Sequence, residues 1–441
     1  MVVGEAERSG GFVVEMIEMV SGFNRSVSSS HFGRRGLSFS GSRVGSHYKA
    51  WMSRYFQVLV LSCSLISFVL AIACGYLYAY PSLNLIIQDA ESLEMAEPVD
   101  EKCDLFDGHW VPDSSYPLYN ASECPFAEMG FNCLANGRKD HDYLKWRWKP
   151  KNCELPKFDV LRILKWLRGK RVVFVGDSMS RTQWESMICM LMTGVEDKRG
   201  VYEINGNKIT KQIRFLSVYF TSYNFTVEFF RSVFLVQQGW ASRHGPKRVK
   251  STLKLDKLDD SSKEWSDSDI LIFNSGHWWS PGKLFDAGCY FQVGGALKLG
   301  MPITTAFRTA LNTWASWVET RVNTNRTRVF FRSFEPSHWS DQGRRFCKVT
   351  RHPLSTTKGK DKSPFSNVIS NVVKNMKVPA TVLQVSYMAA FRSDAHVGTW
   401  SDMPSVPDCS HWCLPGVPDV WNEIVFSDIL ANDRLHPQSI T

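Results

Sequence analysis

Residues 171–186 read Arg171-Val-Val-Phe-Val-Gly-Asp-Ser-Met-Ser-Arg-Thr-Gln-Trp-Glu-Ser186. The opening run is apolar and rich in valine, which predicts a short buried strand. After the Gly-Asp-Ser turn, apolar residues recur at helical spacing and predict a helix over residues 179–192. A strand that passes through a tight turn into a helix presents the turn residue at the carboxyl edge of a sheet. Here that residue is Ser178.

Ser178 is therefore a candidate nucleophile. The backbone N–H groups at the start of the following helix would point towards the same place, where they could bind an oxyanion. Gly176 allows the backbone to turn, and Asp177 could hold the loop through hydrogen bonds. Gly-Asp-Ser also occurs in many structural turns, so a purely structural role for Ser178 stays open at this point.

Beyond this motif, short apolar runs alternate with helical patterns. The runs at 270–273, 329–331 and 381–385 are candidate buried strands, and helical spacing occurs at 305–318 and 367–376. Strands that alternate with helices indicate a parallel sheet covered on both faces. The sequence therefore predicts an α/β fold, a three-layer α/β/α sandwich with a central, mainly parallel sheet.

A second candidate segment lies near the C-terminus, where the chain reads Asp408-Cys-Ser-His411. A nucleophilic serine needs a general base, and the base needs a carboxylate that orients it. An aspartate and a histidine three residues apart can lie on one face of a turn, so that His411 reaches the serine while Asp408 steadies the ring. A disulfide through either Cys409 or Cys413 would fix the loop. The alternative is an exposed Asp/His pair in a proline-rich loop.

The third candidate segment, Asn274-Ser-Gly-His-Trp-Trp279, follows the predicted strand at 270–273. In a parallel sheet the end of this strand falls on the same edge as the candidate serine. Asn274 could donate a hydrogen bond to an oxyanion, and His277, Trp278 and Trp279 could line a sugar-binding cleft. The alternative is a structural turn with core tryptophans.

The composition sets limits on the class of protein. The chain has 441 residues, of which 44% are hydrophobic and 22% charged. These proportions are typical of a folded core and exclude a wholly disordered chain. The net charge of +9 divides into +3 for residues 1–54, −6 for 55–101 and +12 for 102–441. The basic C-terminal part would suit a polyanion, although a mildly basic surface explains it equally well.

No charged residue occurs from Tyr55 to Gln88, and most of this stretch is apolar. About 20 apolar helical residues span a bilayer, so residues 55–80 are predicted to form a transmembrane signal-anchor helix. Basic residues precede it and acidic residues follow it, which places the N-terminus in the cytosol by the positive-inside rule. We therefore predict a disordered cytosolic tail at 1–54 and an acidic lumenal stem at 81–101.

Nine of the eleven cysteines follow the predicted membrane segment. A lumenal, oxidising compartment favours disulfides. Residues 102–157 contain four cysteines and are predicted to form a disulfide-pinned subdomain on a catalytic domain at 158–441. Because nine is an odd number, at least one of these cysteines stays free or pairs with another chain, and Cys289 is our candidate. The cysteine and histidine spacing indicates no metal site. Candidate glycosylation sequons begin at Asn120, Asn224 and Asn325.

Two longer stretches resemble the signatures of a known family. They are Gly176-Asp-Ser-Met-Ser-Arg-Thr-Gln-Trp-Glu-Ser186 and Asp408-Cys-Ser-His-Trp-Cys-Leu-Pro-Gly-Val-Pro-Asp-Val-Trp421. Both resemble the plant trichome birefringence-like family of cell-wall polysaccharide O-acetyltransferases, as does the stretch Cys103-Asp-Leu-Phe-Asp-Gly-His-Trp110. The similarity extends from about Cys103 to the C-terminal helix. The family's fold is similar to that of the SGNH/GDSL esterase superfamily.

The resemblance implies an SGNH-hydrolase-like fold with Ser178 as nucleophile, His411 as base and Asp408 as the partner of the base. It also makes Arg181 and Asn274 candidates for contacts with an oxyanion or with the acetyl donor. Members of the family are single-pass Golgi proteins, so we expect a type II membrane protein with a lumenal catalytic domain. Its reaction would carry acetyl groups through an acetyl-serine to pectin, xylan, mannan or xyloglucan.

No bound cofactor and no nucleic-acid partner are expected. An acetyl donor is needed, either acetyl-CoA or an unidentified lumenal donor, and a donor transporter is a candidate partner. Sugar rings could stack on Trp278, Trp279 and Trp339, and the charge favours an acidic acceptor such as pectin. Two alternatives stay open: a secretory-pathway carbohydrate acetylesterase with the same three residues, and a non-catalytic polysaccharide-binding protein.

Overall fold

The computed structural model describes Leu59, residues 61–75, 103–242 and 244–340, Cys347, and residues 349–435, with side chains up to residue 431. The chain divides into two units, Met1–Leu93 and Glu94–Thr441. The predicted tail at 1–54 and the predicted stem at 81–101 lie outside the described residues.

In the first unit, helix α1 occupies residues 61–75, and its side chains are exposed. Of the predicted membrane helix at 55–80, the structure describes Leu59 and this helix, and the remaining residues lie outside the described part. Among the described residues, no helix combines the length and the apolar character that crossing a membrane requires. The transmembrane segment therefore stays a prediction from the sequence.

The second unit contains the described strands and the other described helices. The strands are β1 (Gly108–Pro112), β2 (Trp146–Pro150), β3 (Arg171–Gly176), β4 (Val201–Glu203), β5 (Phe215–Phe220), β6 (Phe225–Arg231), β7 (Val236–Trp240), β8 (Ser251–Leu258), β9 (Ile270–Phe273), β10 (Cys289–Val293), β11 (Ala296–Lys298), β12 (Arg328–Arg332), β13 (Thr381–Leu383), β14 (His396–Gly398) and β15 (Asp408–Trp412). The helices are α2 (Val160–Leu167), α3 (Ser178–Met192), α4 (Ile303–Arg321), α5 (Pro364–Lys374), α6 (Val385–Ala390) and α7 (Val417–Leu435).

Seven strands form the central sheet in the order β13-β12-β9-β3-β6-β5-β4. The five strands from β13 to β6 are parallel, and β5 and β4 are added antiparallel at one edge. The predicted α/β fold with a mainly parallel central sheet is therefore confirmed. The strand predicted at 381–385 ends earlier, at Leu383, because helix α6 begins at Val385.

Two hydrophobic cores lie on opposite faces of the central sheet. Along β3, Val172 and Phe174 belong to the core shared with α3 and α7, whereas Val173 and Val175 belong to the core shared with α4 and α5. This alternation is the two-residue period of a strand that is buried on both faces. A smaller sheet, in the order β11-β10-β8-β7, contributes to the second core. The central sheet thus lies between two layers.

Four disulfides join eight of the nine described cysteines of this unit: Cys103–Cys153, Cys124–Cys189, Cys133–Cys413 and Cys347–Cys409. The first closes the segment that contains the β1–β2 hairpin. The second and third tie that segment to α3 and to the residue after β15. The N-terminal segment is therefore attached to the core by disulfides, as predicted. Cys289 is buried and free, which confirms it as the leftover cysteine.

Candidate active site

Three neighbouring strands of the central sheet end at one edge. β3 ends at Gly176, β6 at Arg231 and β9 at Phe273. Because these strands are parallel, their carboxyl ends lie side by side. Ser178 is the first residue of α3, the helix that follows β3. It therefore stands at the edge of the sheet where the sequence predicted it.

Gly176 and Asp177 shape the turn that presents Ser178. A Cβ atom on Gly176 would clash with the side-chain oxygen of Asn274, so only glycine fits at this position. Oδ1 of Asp177 accepts a hydrogen bond of 3.0 Å from the backbone N–H of Met179. Asp177 thereby caps the N-terminus of α3 and fixes its first turn.

Asn274 stabilises this turn through hydrogen bonds to Asp177. Its Nδ2 donates a hydrogen bond of 2.9 Å to Oδ1 of Asp177, and its Oδ1 accepts one of 3.2 Å from the backbone N–H of Asp177. Both side chains are buried. In the structure, Asn274 therefore positions Asp177 through these hydrogen bonds. A contact between Asn274 and an oxyanion stays a prediction.

The second segment brings an imidazole and a carboxylate to Ser178. Oγ of Ser178 lies 2.7 Å from Nε2 of His411, and Nδ1 of His411 lies 2.6 Å from Oδ2 of Asp408. The other carboxylate oxygen of Asp408 accepts hydrogen bonds from the backbone N–H groups of Ser410 and His411. Hydroxyl, imidazole and carboxylate form one continuous chain, an arrangement that can activate a serine.

The surroundings of Asp408 favour its ionised form. Burial would raise its pKa, but the attraction of His411 and the hydrogen bonds from His411 and Ser410 outweigh burial and hold the pKa well below its usual range. A carboxylate beside Nδ1 of His411 favours the tautomer with its proton on Nδ1. Nε2 is then free to accept the proton of Ser178.

Two disulfides hold the chain on either side of His411. Cys409 is bonded to Cys347, and Cys413 is bonded to Cys133. The sequence predicted that a disulfide through either Cys409 or Cys413 would fix this loop, and the structure has both. His411 is therefore carried by a short strand, β15, with a covalent attachment near each end.

A pair of buried histidines lies behind His411, and no sequence motif pointed to it. Nδ1 of His396 lies 2.9 Å from the backbone carbonyl oxygen of His411, and Nε2 of His396 lies 2.7 Å from Nδ1 of His338. Burial lowers the pKa of His338 to about 4 and the pKa of His396 well below its ordinary value. The pair is therefore uncharged near neutral pH and contacts the backbone of His411.

Buried polar side chains join α3 to α7, the helix that follows the histidine segment. Nε2 of Gln183 donates a hydrogen bond of 3.1 Å to Oδ1 of Asn422. Oγ of Ser186 donates one of 2.6 Å to Oδ1 of Asp419. Buried polar groups that form hydrogen bonds with each other favour one relative arrangement of the two helices. These contacts position the helix that begins at Ser178.

Arg181 lies on the wall of the site, but its charge is already paired. Its guanidinium binds Oε2 of Glu128, and its Nε lies 3.6 Å from Oε1 of Glu185. Burial raises the pKa of Glu185 to about 8, because the attraction of Arg181 offsets burial only in part. Arg181 therefore holds Glu128 at the site, and its contact with an oxyanion or a donor stays a prediction.

The third segment divides between the site and the core. Nε2 of His277 lies 3.3 Å from Oε1 of Glu335. Burial would lower the pKa of His277, but the Glu335 carboxylate outweighs burial and raises it. Trp278 is partly buried, whereas Trp279 is 2% exposed and packs against Phe307. Trp278 therefore offers the ring surface expected of a sugar cleft, and Trp279 is mainly a core residue.

A cavity of about 1160 Å³ is lined by Ser178, His411, Trp278 and Trp339, among others. Its wall is predominantly positive. The basic side chains are Arg181, Lys211, Arg231, Lys283, Lys360 and Lys362, and the acidic ones are Glu128, Asp402 and Asp408. Most of these residues come from loops far apart in the chain, so no local signal could have identified them. The volume is at the upper end of the range for ligand-binding cavities.

In the described part of the chain, no group of three or more His, Cys, Asp or Glu side chains could hold a metal ion. The reactive groups that the site presents are the hydroxyl of Ser178, the imidazole of His411 and the carboxylate of Asp408.

Comparison with known proteins gives the family. Residues 155–428 match the GDSL/SGNH-like acyl-esterase family found in Pmr5 and Cas1p, and residues 101–154 match the Pmr5 N-terminal domain. The chain is 61% identical over 407 residues to trichome birefringence-like protein 7 of Arabidopsis thaliana, covering 91% of each chain. It is 43% identical over 341 residues to trichome birefringence-like protein 6 of the same plant, covering 75% of this chain and 71% of the relative. The chain therefore belongs to the GDSL/SGNH-like acyl-esterase family, among the plant trichome birefringence-like proteins.

Proposed function

We propose that the protein is an O-acetyltransferase, which carries an acetyl group on Ser178 and delivers it to a hydroxyl of a plant cell-wall polysaccharide. One observation carries the proposal. Oγ of Ser178 lies 2.7 Å from His411, and His411 lies 2.6 Å from Asp408, on the wall of a cavity of about 1160 Å³. Membership of an acyl-esterase family supports acyl chemistry at this place.

In the first half-reaction, Oγ of Ser178 attacks the carbonyl carbon of the acetyl donor while Nε2 of His411 takes the hydroxyl proton. Negative charge develops on the carbonyl oxygen near the N-terminus of α3, where the helix dipole favours it. The leaving group then departs with the proton from Nε2, and acetyl-serine remains. Asp408 stabilises the imidazolium that forms in between.

In the second half-reaction, a hydroxyl of the acceptor attacks the acetyl-serine. Nε2 of His411 removes the proton of that hydroxyl and then returns a proton to Oγ of Ser178, which leaves as the sugar acetate forms. General-base catalysis of this kind contributes about 10²–10⁴-fold to the rate. The rings of Trp278 and Trp339 line the cavity and would support the sugar rings of the acceptor.

A carbohydrate acetylesterase is the second candidate, and the description of the family as acyl-esterases favours it. The same three residues would act, with water in place of the acceptor hydroxyl in the second step. The outcome depends on whether the bound sugar excludes water from the acetyl-serine. A purely structural role for Ser178 is disfavoured by its alignment with His411 and Asp408.

We place the reaction in the Golgi lumen, with the chain anchored as a type II protein through residues 55–80. Four disulfides support an oxidising compartment. The sequon asparagines Asn120, Asn224 and Asn325 are exposed and accessible to glycosylation. The acetyl donor is acetyl-CoA or another lumenal donor, and a membrane transporter would supply it.

The test uses the full-length chain and its Ser178→Ala variant. Each is incubated with a donor labelled in its acetyl group and with unacetylated oligosaccharides derived from pectin, xylan, mannan and xyloglucan. We expect mass spectrometry to find label on the Ser178 peptide and on one oligosaccharide with the wild type, and neither with the variant. Ser222→Ala removes an exposed serine hydroxyl and is the matched control.

Labelling of Ser178→Ala at the wild-type level would refute the covalent step. Loss of acetate from acetylated oligosaccharides, with no gain on unacetylated ones, would assign the acetylesterase reaction instead.

A further inference from the structure

The acidic side chains on the cavity wall are already engaged. Glu128 is bound to Arg181, Asp408 lies beside His411, and Oδ2 of Asp402 lies 3.9 Å from Nζ of Lys211. Among the described residues, none of the other basic side chains of the wall has a carboxylate within 4.0 Å. These are Arg231, Lys283, Lys360 and Lys362. Within the described part of the chain, these four cations therefore form no ion pair.

Of these four cations, Arg231 is the one that the register of the central sheet places near the reacting serine. It ends β6 and lies opposite Gly176 in the register of the neighbouring strand β3. Strands are about 4.8 Å apart and Ser178 is two residues beyond Gly176, so the Cα atoms of Arg231 and Ser178 are at most about 12 Å apart. A group bound to Arg231 would thus belong to the reacting sugar or to one near it.

The environment of Arg231 suits an anionic ligand. The side chain is half-buried, and its Nη1 donates a hydrogen bond to the backbone carbonyl oxygen of Lys211. Desolvating a charge costs free energy unless an opposite charge compensates it. Burial and the nearby cations Arg181 and Arg214 lower the pKa of Arg231, and the attraction of the Asp177 carboxylate offsets them only in part. A negatively charged group in the cavity would relieve both effects.

Trp278 lies near two of these cations. The guanidinium carbon of Arg231 lies 5.7 Å from the centroid of the Trp278 ring, and Nζ of Lys283 lies 4.7 Å from it. Trp278 also lines the cavity. A sugar ring that contacts Trp278 would therefore have positive charge within reach of its substituents.

We propose that Arg231, Lys283 and Trp278 form an acceptor subsite that recognises the carboxylate of a uronic-acid residue. This inference rests on the proposed function and names its acceptor class, an acidic polysaccharide. The planar guanidinium of Arg231 can donate two parallel hydrogen bonds to a carboxylate, and Lys283 adds a second charge. A neutral polysaccharide would leave the charge of Arg231 without an ionic partner, and this difference between charged and neutral acceptors provides the discrimination.

The test measures binding without chemistry, in full-length chains that carry Ser178→Ala. The two probes are an unesterified oligogalacturonide and the same oligosaccharide with its carboxyl groups reduced to neutral hydroxymethyl groups. We expect the charged probe to bind at least about tenfold more tightly, as for a charge-assisted hydrogen bond. Adding Arg231→Gln should remove most of this preference, and Arg231→Lys should retain part of it. Arg199→Gln removes an exposed charge and is the control, which should keep the preference.

Equal affinity for the two probes would overturn the subsite, and so would a preference that survives Arg231→Gln. A separate assay measures acetyl transfer to the two probes by the wild-type chain. If the charged probe binds through Arg231 but gains no acetate, the subsite stands and the proposed transferase function fails. If acetate is transferred equally well to both probes, the function stands and the subsite fails.

Discussion

Oγ of Ser178 lies 2.7 Å from Nε2 of His411, although 233 residues separate them in the chain. Two kinds of contact bring them together. Disulfides through Cys409 and Cys413 hold the strand that carries His411, and polar contacts between α3 and α7 hold the helix that begins at Ser178. We therefore expect changes to these supports to lower the activity, as we expect of changes to Ser178, His411 and Asp408.

Asp408→Asn is expected to slow the formation of acetyl-enzyme by about 10³–10⁴-fold. Asparagine keeps the size of the side chain, but its amide can donate towards Nδ1 of His411 and so favour the wrong tautomer. Single-turnover labelling of Ser178 measures the rate. Asp267→Asn alters an exposed carboxylate and is the control. A rate within about tenfold of the wild type would show that Asp408 does not orient the base.

Gly176→Ala is expected to destabilise the fold by about 1–3 kcal/mol, as overpacking does, and to slow labelling of Ser178. The new Cβ would clash with the side chain of Asn274 and displace the turn. Denaturant unfolding gives the free energy of unfolding. At Gly300 an added Cβ meets no atom within 4 Å, so Gly300→Ala is the matched control. Identical unfolding free energies for the two variants would contradict the close approach of Asn274.

Removing the Cys347–Cys409 disulfide with a pair of serine substitutions is expected to lower stability by about 2–4 kcal/mol and to slow labelling of Ser178. The bond spans 62 residues and holds β15 next to His411. The comparison variant lacks the Cys103–Cys153 disulfide, which spans 50 residues within the N-terminal segment. Its removal should lower the free energy of unfolding by a similar amount but slow the labelling of Ser178 less. Equal labelling rates, at a temperature where both chains are folded, would argue against the positioning role.

Glu423→Gln is expected to flatten the pH dependence of stability. Burial raises the pKa of Glu423 to about 8, whereas an unfolded glutamate has a pKa of about 4.3. Between these values the folded chain holds a proton that the unfolded chain has lost, so this carboxyl reduces stability as pH rises. Glutamine does not titrate, so the variant lacks this loss of stability, which is on the order of 1–3 kcal/mol between about pH 5 and pH 8.

Thermal or denaturant unfolding at several pH values measures the effect of Glu423→Gln. Glu196→Gln alters an exposed carboxyl and should follow the wild type. If the curves of stability against pH for the wild type and Glu423→Gln run parallel, Glu423 does not hold its proton in the folded chain.

Much of the fold was predictable because its signals are local. The valine-rich run before Gly176 and the apolar residues after Ser178 have the periods of a strand and a helix. The aspartate and histidine of the Asp408–His411 segment are three residues apart, so one turn suffices to align them. The odd number of cysteines after the predicted membrane segment predicted one that forms no disulfide within the chain. In the structure Cys289 is free and buried.

The partners of the polar side chains were not predictable in the same way. Arg181 and Asn274 stand in motifs that suggested contacts with the reacting groups, yet Arg181 binds Glu128 and Asn274 binds Asp177. Arg231 has no motif at all, and its place at the cavity follows from the pairing of β6 with β3. A polar side chain bonds to whichever group the fold brings within about 3 Å, and that group is often hundreds of residues away.

Local sequence patterns thus specify two elements of the site: a strand, turn and helix that present a serine, and a short segment that pairs an imidazole with a carboxylate. These depend on backbone periods and on neighbours a few residues apart. The meeting of the two segments and the pairing of the charges on the cavity wall follow from the tertiary fold. Those properties depend on contacts between distant residues, which leave no periodic pattern in the chain.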